Sequence, residues 1–492
     1  MSYPLLVLLI VLVYFSLLLC VSYRTSSSKS DNNTFFRAGH NSPWALVAFG
    51  MIGASISGVS FVSVPGMVRT SQMTYLQMCL GFIPGYFLVV KYLLPLYYRL
   101  KLTSIYTYLE RRYGKNSYKT GAWFFLLSKM TRASASLYIV CLILHKTAFE
   151  PLDMPFVGTV LFMLLLIWLY THRGGIHTLV WTDTLQTACL IGSLILITVL
   201  TAQSLHLDFP HLVQSVKENP MSRIFVFDDW KSSQNFWKQF LSGAFIVVVM
   251  TGLDQDMMQK NLTCHSLKEA QKNMSLYSLA FVPINFLFLI LGILLCLYCA
   301  HTGFPLPQTG DEILPTLALS GHLGLSVLLL FTLGIIAAAF SSADSALTAL
   351  TTCFCIDILG IEQKNISTKR AIKIRHIVHI GVTLVFILFI LLFKASGQSS
   401  LINTIYVLAG YTYGPLLGLF AFGLFTNRAP RDRFVPLIAI ASPIICYLLN
   451  ILIPLYWGYH FGYELLILNG LLTFTGLWVL SLRHNNSCSP EQ

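Results

Sequence analysis

Residues 334–358 read GIIAAAFSSADSALTALTTCFCIDI. The run is apolar enough to cross a membrane, yet it carries Ser341, Ser342, Asp344, Ser345 and Asp357. In hydrocarbon each such group needs a partner, and an ionised carboxylate is costly, so acids in a span face a cavity or an ion path. Ser341, Asp344 and Ser345 stand at i, i+3 and i+4, one face of a helix, with Ser342 one step round. Ala337, Ala338 and Ala339 give that face little bulk, so another backbone can approach closely. The pattern predicts a small oxygen-lined niche for a hard cation, sodium first. The alternative is a set of hydroxyls bonded back to carbonyls one turn earlier.

The surrounding chain makes the membrane reading general. Of its 492 residues, 55% are hydrophobic and 11% charged, and the mean hydropathy is +0.69. A span needs roughly 20 apolar residues, and the chain supplies about 13 such runs. They fall near 3–22, 43–66, 73–97, 119–145, 154–170, 179–203, 235–252, 274–301, 320–358, 371–394, 400–425, 433–454 and 460–482. An all-α integral membrane protein is expected. The run at 320–358 is too long for one straight crossing and is expected to begin as an outer loop or short helix. No Lys or Arg precedes the first run and no clear cleavage site follows it, which predicts a retained span. The eleven cysteines sit mostly in apolar runs and read as small core residues, Cys296/Cys299 and Cys353/Cys355 included.

Charge sets the orientation. With the N-terminus outside, the inner loops and the tail hold 22 of the 32 Lys and Arg, the outer segments seven, and the spans Lys91, Lys129 and Arg132. Such a bias predicts N-terminus out and C-terminus cytoplasmic. The net charge of +12 is then mostly cytoplasmic-face charge, with no nucleic acid as partner.

Several residues stand out against this frame. The second run, SPWALVAFGMIGASISGVSFVSVPG (42–66), is a poor continuous helix: Gly50, Gly53, Gly58 and Gly66 weaken it, and Pro65 is expected to end it. Interrupted spans free carbonyls that coordinate ions, although small residues also serve helix packing. Asp183, in GGIHTLVWTDTLQ (174–186), is either a first-turn acid favoured by the helix dipole or a member of the serine niche. Asp357, near the inner end of its run, is either interfacial or functional. Lys91 is close enough to the surface to snorkel. Arg132 is deeper and needs a partner, either a structural acid or an anionic solute. Gln77, Trp237, Phe240 and Phe245 are weaker pocket candidates. No HExxH, GxSxG or Walker A pattern is present, so an enzyme is not expected and no cofactor is implied.

Five stretches together carry a resemblance: GASISGVSFVSVPG (53–66), LTSIYTYLERRYG (102–114), GGIHTLVWTDTLQ (174–186), GLDQDMMQKNLTC (252–264) and AAAFSSADS (337–345). In this order and spacing the chain resembles the sodium:solute symporter family, the relatives of sodium/glucose, sodium/proline and sodium/sialic acid cotransporters. The resemblance implies a LeuT-like core of two inverted five-helix repeats, about 43–203 and 235–425. An extra helix and inner loop would occupy 1–42, and two further helices with a short cytoplasmic tail 426–492. It places a core sodium on the carbonyls of Gly53, Ile56 and Ala338 and the hydroxyls of Ser341 and Ser342. A second sodium, held in some members, would fall on Asp183, Ser341, Asp344 and Ser345, with Asp344 a departure from relatives that use Ser. Ser57, Ser60 and Arg132 match positions that touch solute in the sialic acid transporters, Arg132 as the grip on a carboxylate.

The function this implies is sodium-coupled import of a small polar organic solute, such as a sialic acid or another organic acid. Sodium, the solute and membrane lipid are the expected partners, and the plasma (cytoplasmic/inner) membrane the expected location. Rival readings are proton coupling through Asp183 or Asp344 and a transporter-like membrane sensor. The short tail after residue 483 argues against the sensor.

Overall fold

The computed structural model describes residues 3–25, 35–36, 42–361, 367–396 and 401–482, with the backbone alone at 172–174, 396 and 401–404. Lys29, Arg37, Lys364 and Arg483, counted above toward the inner side, lie outside the described residues. The long helices are α1 (Tyr3–Thr25), α2 (Trp44–Ser55), α3 (Gly58–Ser71), α4 (Tyr75–Leu88), α5 (Lys115–Leu144), α6 (Phe156–Ser204) and α7 (Phe236–Val247). They continue as α8 (Gln255–Asn261), α9 (Leu267–Thr302), α10 (Leu325–Cys353), α11 (Thr368–Ser396), α12 (Leu401–Phe425), α13 (Val435–Trp457) and α14 (Leu465–Leu482). Among the described residues, ten helices are long and apolar enough to cross a membrane, and two bent pairs raise this to twelve. Phe156–Thr171 is a shorter apolar helix. It is set off from the rest of α6 at Gly175, whose φ of +53° only glycine adopts freely and where a Cβ would strike Phe35.

Two pairs of helices are bent at short breaks. Between α2 and α3 the backbone is extended at Ile56 and Ser57, and the axes turn by 62°. The Ile56 amide still bonds Ile52 O, and bonding resumes only with Phe61 to Ser57 O. The carbonyls of Gly53 through Ile56 therefore lack the amide four residues on that an unbroken helix supplies. Ser57 starts the new helix as its cap, its hydroxyl accepting from the Ser60 amide at 3.4 Å. The break thus falls among the small residues of GASISG, well before the proline. Pro65 does not end the helix, which runs on to Ser71; the Pro65 carbonyl packs on Gly292 of α9.

Between α7 and α8 the turn is 68°. The last turn of α7 widens over Val248–Gly252, and Asp254 caps α8 by accepting from the amides of Asp256 and Met257 at 2.9 and 3.4 Å. This corrects the expectation of an inner loop from 254 onward: Asp254 to Cys264 is buried. The charges of GLDQDMMQKNLTC read as loop because hydropathy ignores pairing, and here the charges satisfy one another inside the protein.

α10 runs through the middle, after the short helix Ile313–Leu319 and a glycine turn, as its excess length requires. From Gly334 to Cys353 every residue is buried except half-buried Ser342. It packs along α6 and against both α2 and α3. Glycines set the approach on the α2 side: a Cβ on Gly50 would meet Asp183, and one on Gly53 would overlap Thr187. At the other end of the fold, Asp432 caps α5 from a distant loop, taking the amides of Asn116 and Ser117 at 2.8 Å.

Candidate functional site

On α10, Ser341, Asp344 and Ser345 are fully buried and Ser342 is half-buried. Ser341 Oγ donates to Asp183 Oδ1 at 2.8 Å, which joins the serine face to α6. Asp344 accepts at Oδ2 from Tyr170 Oη at 2.7 Å and from Gln186 Nε2 at 3.4 Å, and at Oδ1 from Ser345 Oγ at 3.2 Å. Lys260 of α8, between Asp183 and Ser345, joins the two acids into one polar cluster. Asp183 is neither a surface acid nor a lone helix-start charge. Asp357 is likewise interior, accepting from Tyr118 Oη at 2.8 Å.

What the sequence reading did not place is the set of charges on α8 and their pairing with Lys129 and Arg132 of α5. Lys260 Nζ lies 2.8 Å from Asp183 Oδ2 and donates to Ser345 Oγ at 2.7 Å. Asp256 is 3.8 Å from that ammonium through Oδ1 and 2.6 Å from Lys129 Nζ through Oδ2. Lys129 reaches Asp254 Oδ1 at 3.3 Å, and Arg132 reaches Asp254 Oδ2 at 3.2 Å. Tyr413 Oη completes Asp254 with a 2.8 Å bond. Buried charges persist only when paired and hydrogen-bonded, and this alternating chain supplies both. One signal was available: Lys129 and Arg132 stand at i and i+3 on one face of an apolar span, so two counter-ions were owed.

Arg132 is the member of this chain with real exposure, 25% of its side chain against 3% or less for its charged partners Lys129, Asp254 and Asp256. It lines a cavity of about 70 Å³ together with Ser57, Ser60, Lys129, Ser342 and Tyr406. The expected solute residues Ser57, Ser60 and Arg132 are therefore brought together, and Ser342 shares their wall. Ser342 Oγ has no hydrogen-bond partner among the described residues. An orphan hydroxyl that shares a cavity wall with Ala54, Ser55 and Ser57 at the α2/α3 break suits a sodium ion, which takes oxygen ligands.

Gln77 is not part of this cavity. Its amide is spent on backbone, donating to Gln234 O at 2.9 Å and accepting from the Val226 amide at 3.0 Å. It pins the 205–235 connection to α4, a task that a polar residue in an apolar run serves equally well. Above the cavity, Tyr75 and Tyr406 hydroxyls meet at 3.1 Å, and the Tyr406 and Tyr463 rings are 5.0 Å apart. Beyond them opens a second hollow of about 420 Å³, lined by Tyr75, Tyr463, Gln234 and Asp311. These tyrosines lie between the two hollows.

The model of the sodium:solute symporter family matches residues 35–432. The chain belongs to the sodium:solute symporter family. This symporter is 26% identical over 433 residues to a sodium/sialic acid symporter of Proteus mirabilis, covering 85% of this chain and 84% of that one. It is 25% identical over 425 residues to a sodium/sialic acid symporter of Aliivibrio fischeri, covering 85% and 82%. The human sodium/iodide cotransporter matches at 23% over 401 residues, 80% of this chain and 61% of that one. In structure, the symporter superposes on a substrate-bound, outward-open sodium-coupled sialic acid symporter with a TM-score of 0.84 at 21% identity, covering 99% and 98% of the two chains. Mhp1, a nucleobase-cation-symport-1 family transporter, matches at a TM-score of 0.53 and 15% identity over 93% and 95%. The fold is LeuT-like, and the symporter is a multi-pass integral membrane protein that couples sodium to a solute.

Proposed function

We propose that this symporter imports a carboxylate-bearing organic solute across the plasma membrane, N-terminus outside and C-terminus cytoplasmic. The observation that carries this reading is the cavity wall, where Arg132 and Lys129 share the lining with the hydroxyls of Ser57 and Ser60. A guanidinium already tied by one arm to Asp254 keeps its remaining donors for an incoming carboxylate, and its planar fork matches both oxygens. The two sialic acid symporters among its relatives support the same solute class.

Sodium enters the scheme at the helix break. The carbonyls of Gly53, Ile56 and Ala338 and the hydroxyls of Ser341 and Ser342 would hold it, and in doing so fix α2 and α3 against α10. The solute then meets Ser57 and Ser60 already placed, so each ligand favours the other by the same factor at equilibrium. Opening of the Tyr75–Tyr406 lid admits the solute, and movement of the helix bundle releases it inward.

The test is uptake of labelled organic acids into vesicles carrying the purified protein, with an inward sodium gradient. Accumulation of an acid that stops when potassium replaces sodium supports the reading. Accumulation under a proton gradient in potassium alone would favour coupling through Asp344, whose hydrogen-bond partners are Tyr170, Gln186 and Ser345.

A further inference from the structure

The niche expected to hold a second sodium is filled by a side chain. Its four groups are Asp183, Ser341, Asp344 and Ser345, and Lys260 places its ammonium among them, 2.8 Å from Asp183 Oδ2 and 2.7 Å from Ser345 Oγ. The other valences are closed as well: Ser341 donates to Asp183, and Ser345 donates to Asp344. Lys260 is 2% exposed and cannot swing to water without opening α8. The short helix is held in place by its Asp254 cap and by Gln259, whose amide donates to Phe36 O at 2.6 Å.

We propose that Lys260 is a tethered cation that takes the place of a second sodium, so that this symporter carries one sodium per cycle, and that removing the ammonium opens the niche to a second ion. The proposal rests on the sodium-coupled reading above. An ammonium and a sodium ion ask for the same thing here, oxygen atoms with net negative charge around a single positive charge. Both cannot be accommodated, because the like charges would share a dry site a few ångströms across, where screening is weak. The difference is that a covalently attached cation never leaves. The negative charge of Asp183 is therefore answered at every stage of the cycle, and the electrical work per solute falls to that of the core ion. Lys260 is also linked through Asp256 to Lys129, so the tethered cation is the inner end of the same charge chain whose outer end, Arg132, faces the cavity.

The experiment is equilibrium binding of radioactive sodium to the full chain in detergent, with melting followed against sodium concentration. The wild type is expected to bind one sodium per chain, at least about tenfold more weakly in Ser342→Ala, and Lys260→Arg to behave like the wild type. Lys260→Gln, purified in high sodium, is expected to bind two, with the melting temperature rising about twice as steeply with the logarithm of sodium concentration, as two binding events require. Two sodium ions on the wild type, or one on a folded Lys260→Gln, overturn the proposal. Should Lys260→Gln not survive purification, the wild-type count alone decides. A wild type that binds no sodium overturns the sodium-coupled reading itself, which separates the two failures.

Discussion

Replacing Arg132 by Gln isolates the recognition of a solute carboxylate. The structure limits the collateral damage: Asp254 keeps Lys129 at 3.3 Å and the Tyr413 hydroxyl at 2.8 Å, so no buried acid is stranded. What is lost is a charge-assisted bond to the solute, a class worth about 1.5–3 kcal/mol. At 1.4 kcal/mol per tenfold, the affinity for an acid should fall by about 10- to 150-fold. The neutral amide of the same solute makes no such bond and should bind Arg132→Gln and wild type within about threefold of each other. Arg132→Lys keeps the charge but not the fork, and should fall between. The assay is isothermal titration in saturating sodium, acid and amide side by side. Equal losses for acid and amide would show that Arg132 shapes the cavity and does not grip a carboxylate.

Other parts of the architecture give sharper single tests. Ser342→Ala removes the orphan hydroxyl and should weaken sodium binding by at least about tenfold, with little change in melting in potassium, because no internal bond is lost. Asp254→Asn retains the α8 cap but leaves Arg132 without its counter-ion and Lys129 with Asp256 alone. Breaking a buried pair costs about 3–5 kcal/mol, so it should melt several degrees lower, and Asp254→Asn with Arg132→Gln should lose less than the two separately. Tyr406→Phe deletes the bond to Tyr75; at about 0.5–1.5 kcal/mol the open fraction of the lid should rise about two- to twelvefold, read from the labelling rate of a cysteine placed in the cavity. Gln77→Ala should lower stability through the stranded Val226 amide yet leave solute affinity unchanged.

The membrane fold was readable because apolar length and small-residue interruption each report directly on crossing a bilayer. The serine face of α10 was readable for the same reason, since polar groups at i, i+3 and i+4 in an apolar run mark a helix face turned away from lipid. Lys260, Asp254 and Asp256 were not placed, because a short stretch crowded with charge satisfies every rule for a loop. Their burial depends on counter-charges distant in sequence, at Asp183 and on α5, and one-dimensional patterns carry no such pairing. Pro65 misled for a related reason. Its cost to a helix is local, while the packing of α3 on α9 at Gly292, which holds the helix in the bundle, is tertiary. Gln77 shows the converse: a buried amide in a span was read as pocket lining, and it holds a loop.

The central claim is that sodium and a carboxylate-bearing solute bind one site interdependently. It is tested most directly by melting the purified protein in sodium and in potassium, each with a panel of organic acids, their amides, sugars and amino acids. A ligand that binds only the folded state raises stability with the logarithm of its concentration. The account predicts that an acid raises the melting temperature in sodium, that neither its amide nor potassium reproduces the effect, and that the shift disappears in Ser342→Ala. Identical curves in sodium and potassium for every solute would contradict it.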